Sequence, residues 1–168
     1  VGTLLLSAAP FALLVFRSVT KNPVYYFFHS PGNVGPLVLR FAVAGIFFYH
    51  GTQKALGWFG GAGWQGTIDS WTSTTGLGLP FILASLAMVL ELAICLALFF
   101  GFFTRLAGLG VVVNMTGALI ILGRNTPVFS DLELPLMVWA AGLAIFCLGG
   151  GALSIDRGIS KNLLPIVG

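Results

Sequence analysis

Charge is scarce in this chain. Asp, Glu, Lys and Arg make up 8% of its 168 residues, five acids against eight bases, too few to cover a folded domain of this size with a solvated surface. Cysteine is scarcer still. Cys95 and Cys147 stand alone inside apolar runs with no Cys-x-x-Cys spacing, so they read as small packing residues and neither a redox dithiol nor an iron–sulfur ligand set is indicated. There is no haem-attachment motif and no flavin fingerprint, and neither His50 nor His29 has the His-x-x-His or Glu-x-x-His spacing of a metal site. The glycine-rich pieces, Gly60-Gly61-Ala62-Gly63 and Gly149-Gly150-Gly151, lack the strand-to-helix context of a phosphate loop and read as turns. The net charge of +3 supports no inference of nucleic-acid binding.

What the chain has in abundance is apolar length. Hydrophobic residues make up 57% of it and its mean hydropathy is +1.00, the composition of an integral membrane protein. A hydrocarbon core of roughly 30 Å needs about 20 helical residues per crossing. Runs near 34–56, 80–101, 105–123 and 132–150 meet that length and predict an all-α transmembrane four-helix bundle over 34–157. A segment 1–33 precedes it and a tail, 158–168, follows. Arg17, Lys21, Arg105, Arg157 and Lys161 fall on the side holding both termini and the second loop, with Arg40 in the first turns of span one. Only Lys54 and Arg124 flank the other side. This asymmetry predicts cytoplasmic ends for the four-helix domain, with the loops at 57–79 and 124–131 facing the periplasm or cell exterior.

The amino-terminal apolar stretch, 3–16, rises only about 21 Å as a helix and contains Pro10. An interfacial segment is the first reading, followed as it is by the aromatic run Val24 to Phe28; a fifth span completed by residues before Val1 and a signal-peptide remnant are the alternatives.

One residue stands out against this background. Glu91 is the only acid in the run from Pro80 to Phe100, and an ionised carboxylate at that depth costs about 2.5 to 3.5 kcal/mol unless the protein offsets it. At 100 degrees per residue, Glu91 shares a face with Ala84, Ala87 and Cys95, and Asn114 shares one with Ala107, Gly110 and Ala118. Arg40, His50 and Lys54 fall within about 80 degrees of one another, beside Ala44 and Gly51. Small residues let helices approach closely in lipid, where polar side chains find partners. Counting about 1.5 Å per residue from the outer ends puts Glu91 roughly 16 Å down, level with Asn114 at roughly 14 Å, with His50 higher, Arg40 lower and Lys54 nearer the surface, where it can snorkel to water. The expected cluster is Glu91, Asn114 and His50, with Arg40 or Lys54 as counter-charge. Two readings of it stand: a lock on helix register, and a ligand or proton-handling site. Above it, Trp58, Trp64 and Trp71 suit a segment lying in the outer interface, either as an aromatic belt or as a roof over the bundle mouth.

Taken in order, Tyr49-His50-Gly51-Thr52-Gln53-Lys54, Glu91, Gly101-Phe102-Phe103-Thr104-Arg105 and the stretch Gly149 to Asp156 resemble the DoxX/DoxD-like membrane proteins, over about residues 35–157. The resemblance implies a four-helix membrane subunit associated with redox systems. DoxD-type members are linked to thiosulfate oxidation with quinone as acceptor, and other DoxX-like members to membrane oxidoreductase complexes handling thiol stress. The positions matching the family pattern are His50, Gly51, Lys54, Glu91, Arg105 and Asp156, for which the family fixes no catalytic assignment.

The expectation that follows is an accessory or anchoring subunit of a membrane electron-transport complex, surrounded by lipid and by other subunits. It carries no intrinsic cofactor and has a quinone or lipid contact near Glu91. A catalytic subunit of the thiosulfate:quinone type is the alternative. A small transporter comes third, since no inverted repeat is visible.

Overall fold

The structure, a computed structural model, describes residues 28, 30, 32–74, 76–125 and 129–167. The apolar stretch 3–16, Arg17, Lys21, His29 and most of the aromatic run lie outside the described residues. Every element among the described residues is helical. Helix α1 spans Val34–Leu56; after a 3-10 turn at Trp58–Gly60 come α2 (Gly63–Thr72), α3 (Phe81–Phe100), α4 (Thr104–Asn125), α5 (Phe129–Leu148) and α6 (Ile155–Val167). Helices α1, α3, α4 and α5 are long and apolar enough to cross a membrane. A helix satisfies its own backbone, which is what hydrocarbon demands of a spanning segment.

Glycine ends two of these helices. Gly57 and Gly101 both adopt the left-handed conformation, and their N–H groups return to Thr52 O and Ala97 O. Gly101 has a second reason to be glycine, because a Cβ there would strike the Arg40 guanidinium. The outer faces of the bundle are apolar: Leu86, Val113 and Met137 are 58%, 59% and 72% exposed in the isolated chain, as side chains turned toward lipid would be. Inside, Phe47, Ile94, Leu98, Val111 and Ile145 form the main core.

The four spans pack as two intimate pairs, α1 with α3 and α4 with α5, which meet more loosely across a seam. Small residues set the intimacy. A Cβ on Gly142 would lie 2.6 Å from Val111 Cγ1, and one on Gly108 2.7 Å from Phe146 N, so α4 and α5 touch backbone to backbone at this crossing. On the other pair, a Cβ on Gly51 would come within 3.2 Å of the Leu92 side chain, which draws α1 onto α3 beside Glu91.

One end of the bundle is closed by a polar clamp. Arg40, fully buried, donates to the carbonyls of Gly150 (3.1 Å) and Leu153 (3.2 Å), and Arg105 donates to those of Phe146 and Cys147 (both 2.6 Å). Two cations thus satisfy carbonyls at the end of α5 and in the turn that follows it. Asp156, on α6, accepts from the backbone N–H of Phe103 (2.8 Å) and Thr104 (2.7 Å), capping α4 from outside its own segment. Ser154 bridges Gly151 O and Ser30, and Ala152 N–H reaches Asn33 O. The stretch Gly149 to Asp156 is therefore a knot tying α1, α4, α5 and α6 together, and α6 carries the chain as helix through the tail expected from 158.

Candidate functional site

At the opposite end of the seam, α1 closes on Lys54 and α3 presents Glu91. Lys54 Nζ donates to both carboxylate oxygens, at 2.6 Å to Oε1 and 2.8 Å to Oε2. The Glu91 side chain is 5% exposed and that of Lys54 29%, so the carboxylate is enclosed while the ammonium keeps a path outward. Asn114, from α4, completes the group with a long contact of 3.5 Å from Nδ2 to Glu91 Oε1. Three helices from both pairs thus converge on one acid.

The segment between α1 and α3 holds Lys54 in place. Thr67, on α2, donates its hydroxyl to Lys54 O at 3.1 Å, satisfying a carbonyl that the end of α1 leaves open. The Trp71 ring centre lies 5.2 Å from Lys54 Nζ, close enough for a cation–π attraction. Beneath α2, Ile68 packs on Ala84 and Met88 of α3. This segment carries a docked helix that roofs Lys54 with Trp71. Trp58 and Trp64, by contrast, remain exposed.

Two cavities flank the ion pair. One, of about 400 Å³, lies between α1, α4 and α5, and carries His50 and Asp131 as well as Lys54 and Glu91. The other, of about 420 Å³, lies between α3 and α4 under Trp71, with Asn114 as its further polar wall. Lys54, Glu91, Met115, Ala118 and Leu122 border both. The pair stands as the partition between them.

Of the residues singled out from sequence, Glu91, Asn114 and Lys54 come together. Lys54 is the counter-charge: its ammonium turns in to Glu91 beneath Trp71 while its side chain stays partly exposed. His50 is exposed and packs edge-on against Tyr49; it borders the first cavity but makes no hydrogen bond to Glu91 among the described residues. Arg40 does not join the cluster. It is 14 positions from Lys54 on one helix, about 21 Å along the axis, and nearer carbonyls take its guanidinium. Arg105 and Asp156 belong with Arg40 in the clamp at the far end. Cys95 is buried, 3.6 Å from Ala44 O. Sequence reasoning missed Asp131; Trp71 it placed in the outer segment, with a roof over the bundle mouth as one of two readings, and its ring lies over Lys54. Asp131 reads as loop in the sequence, whereas α5 begins at Phe129 and places it in the first helical turn.

The chemistry available is that of hydrogen bonding and proton transfer: an ammonium, a carboxylate and an amide around apolar space. Among the described residues no three His, Cys, Asp or Glu side chains converge as a metal site would require.

Comparison with known proteins agrees with this architecture. The chain is 28% identical over 130 residues to the Bacillus subtilis (strain 168) protein named "Putative oxidoreductase CatD", an alignment covering 77% of this chain and 90% of that one. It is 28% identical over 141 residues to "Inner membrane protein YphA" of Escherichia coli (strain K12), covering 79% and 96%. No solved structure matches. The DoxX family model matches residues 35–124, which take in α1 to α4 together with Lys54, Glu91 and Asn114, and the chain is therefore a multi-pass membrane protein belonging to the DoxX family.

Proposed function

We propose that this protein is an accessory or anchoring subunit of a membrane electron-transport or oxidoreductase complex, and that it contacts a quinone headgroup at the cavity between α3 and α4. The observation that carries the reading is the enclosed, doubly hydrogen-bonded pair of Lys54 and Glu91 lining that cavity. Because the two charges neutralise each other, the cavity has no surplus cation for an anionic lipid phosphate. It suits a neutral headgroup with carbonyl or hydroxyl oxygens and a long apolar chain, which the neighbouring Leu90, Val113 and Ile121 accommodate. A quinone carbonyl accepts a hydrogen bond, and Lys54 has a proton to donate. Reduction to the quinol takes two electrons and two protons; in the accessory reading the Lys54 ammonium passes the protons and Glu91 only holds it in place, whereas a catalytic subunit would use the Glu91 carboxyl as proton carrier. The electrons come from a redox group on a neighbouring subunit, since this chain has no sequence motif for holding one.

Purification in native nanodiscs, followed by mass spectrometry of co-purifying chains and of extracted lipid, tests this directly. A cofactor-bearing neighbour and stoichiometric quinone are expected; a lone chain with neither would sink the proposal. The Bacillus subtilis relative is named an oxidoreductase, which favours a second reading, in which the chain is itself a catalytic subunit; we take its acceptor to be the same quinone. Glu91→Gln separates the two: the assembled complex keeps turning over if the role is accessory, and stops if it is catalytic.

A further inference from the structure

The cavity between α1, α4 and α5 is not needed to seat a headgroup under Trp71, yet it reaches the same ion pair from the other side. Like the other it is walled mostly by apolar side chains, but its polar members differ. Ser130, Asp131 and His50 border it, all three exposed, so polar side chains stand along it from the start of α5 inward. Pro135 borders it too, inside α5. Proline has no N–H, so the Asp131 carbonyl, four residues earlier, loses the donor a helix would supply and needs another. Within a membrane, ordered water is one of the groups that can supply that donor. At about 400 Å³ the space holds several waters, each occupying roughly 30 Å³ in the liquid.

We infer that this cavity is an aqueous inlet to the ion pair from the end of the bundle where α5 begins, so that Lys54 and Glu91 stand between water on one side and a lipid-side chamber on the other. Asp131 and His50 are positioning residues along it: they hold water in line with the pair and touch no ligand in the other cavity. A proton given to a ligand oxygen breaks an N–H bond of the Lys54 ammonium, leaving a neutral amine beside the Glu91 carboxylate, and water in the inlet returns a proton to that amine. No proton then has to cross hydrocarbon. The inference extends the proposed quinone contact but does not require it, since water access to the pair is measurable with no ligand present.

Single-cysteine variants in nanodiscs, on a background with Cys95 and Cys147 replaced by alanine, test it. Val138→Cys reports on the inlet: Val138 is 3% exposed and borders this cavity. Gly117→Cys reports on the other cavity, where a Cβ meets open space. Leu86→Cys, on the outer face of α3, is the lipid control. Methanethiosulfonate reagents attack the thiolate, which forms in water and not in hydrocarbon, so a charged reagent should label Val138→Cys on the order of a hundredfold faster than Leu86→Cys. If Val138→Cys does not fold, Ile46→Cys, which borders this cavity and not the other, replaces it with the same expectation. Labelling no faster than the lipid control overturns the inlet. Decyl-benzoquinone added beforehand should protect Gly117→Cys from an uncharged maleimide. Loss of that protection alone would sink the quinone contact and leave the inlet standing.

Discussion

Lys54 and Glu91 illustrate how a membrane interior changes the worth of an ion pair. In water the attraction between them would be nearly cancelled by hydration; here the carboxylate is enclosed, and removing its partner strands a charge. Lys54→Met should therefore destabilise the folded bundle by about 2 to 3 kcal/mol, somewhat below the cost for a fully enclosed pair because the ammonium keeps a path outward. The double variant Lys54→Met with Glu91→Leu should recover most of that loss, since no charge is left without a partner. Steric-trap or denaturant unfolding in detergent reads both; a double variant no more stable than the single would show that the pair's desolvation is not what matters. The level placement of Glu91 and Asn114 was legible in the sequence because helical rise is fixed, so residue counts convert to depth. The inward turn of Lys54 was not, because it depends on Thr67 and Trp71, which belong to a segment with no spanning periodicity.

The helices depend on contacts that periodicity does not reveal. Asp156 caps α4 across a gap of more than fifty residues, and its carboxylate answers two backbone donors at once. Asp156→Asn keeps the shape but loses the charge and one acceptor, and should cost about 1 to 2 kcal/mol, read as a lower thermal midpoint. Glycines make a sharper comparison. Gly142→Ala places a methyl 2.6 Å from Val111 Cγ1 and should separate α4 from α5 at a cost of about 1 to 3 kcal/mol. Gly117→Ala, on the partner helix α4 and facing open space, should be neutral or stabilise by up to about 1 kcal/mol through helix propensity. Equal effects of the two would contradict the packing described. The sequence marks these glycines alike. Only the crossing point of α4 and α5, a property of two helices together, tells them apart. Arg40 is the counterpart among charges: its position on α1 was readable, its carbonyl partners some 110 residues away were not.

At the scale of the molecule, the two helix pairs do different work at their two ends. The clamp of Arg40, Arg105 and Asp156 ties the chain at one end, and the looser seam at the other leaves space on both sides of a single ion pair. The spans and the class were legible because apolar length is a property of the sequence alone; the two cavities were not, because they are what remains when pairs pack closely and meet loosely. The most direct measurement is the equilibrium binding of decyl-benzoquinone to the protein in nanodiscs, wild type against Lys54→Met. A charge-assisted hydrogen bond contributes about 1.5 to 3 kcal/mol, so binding should weaken on the order of ten- to a hundredfold in the variant. Equal affinity in the two proteins, or no saturable binding to the wild type, would contradict the account.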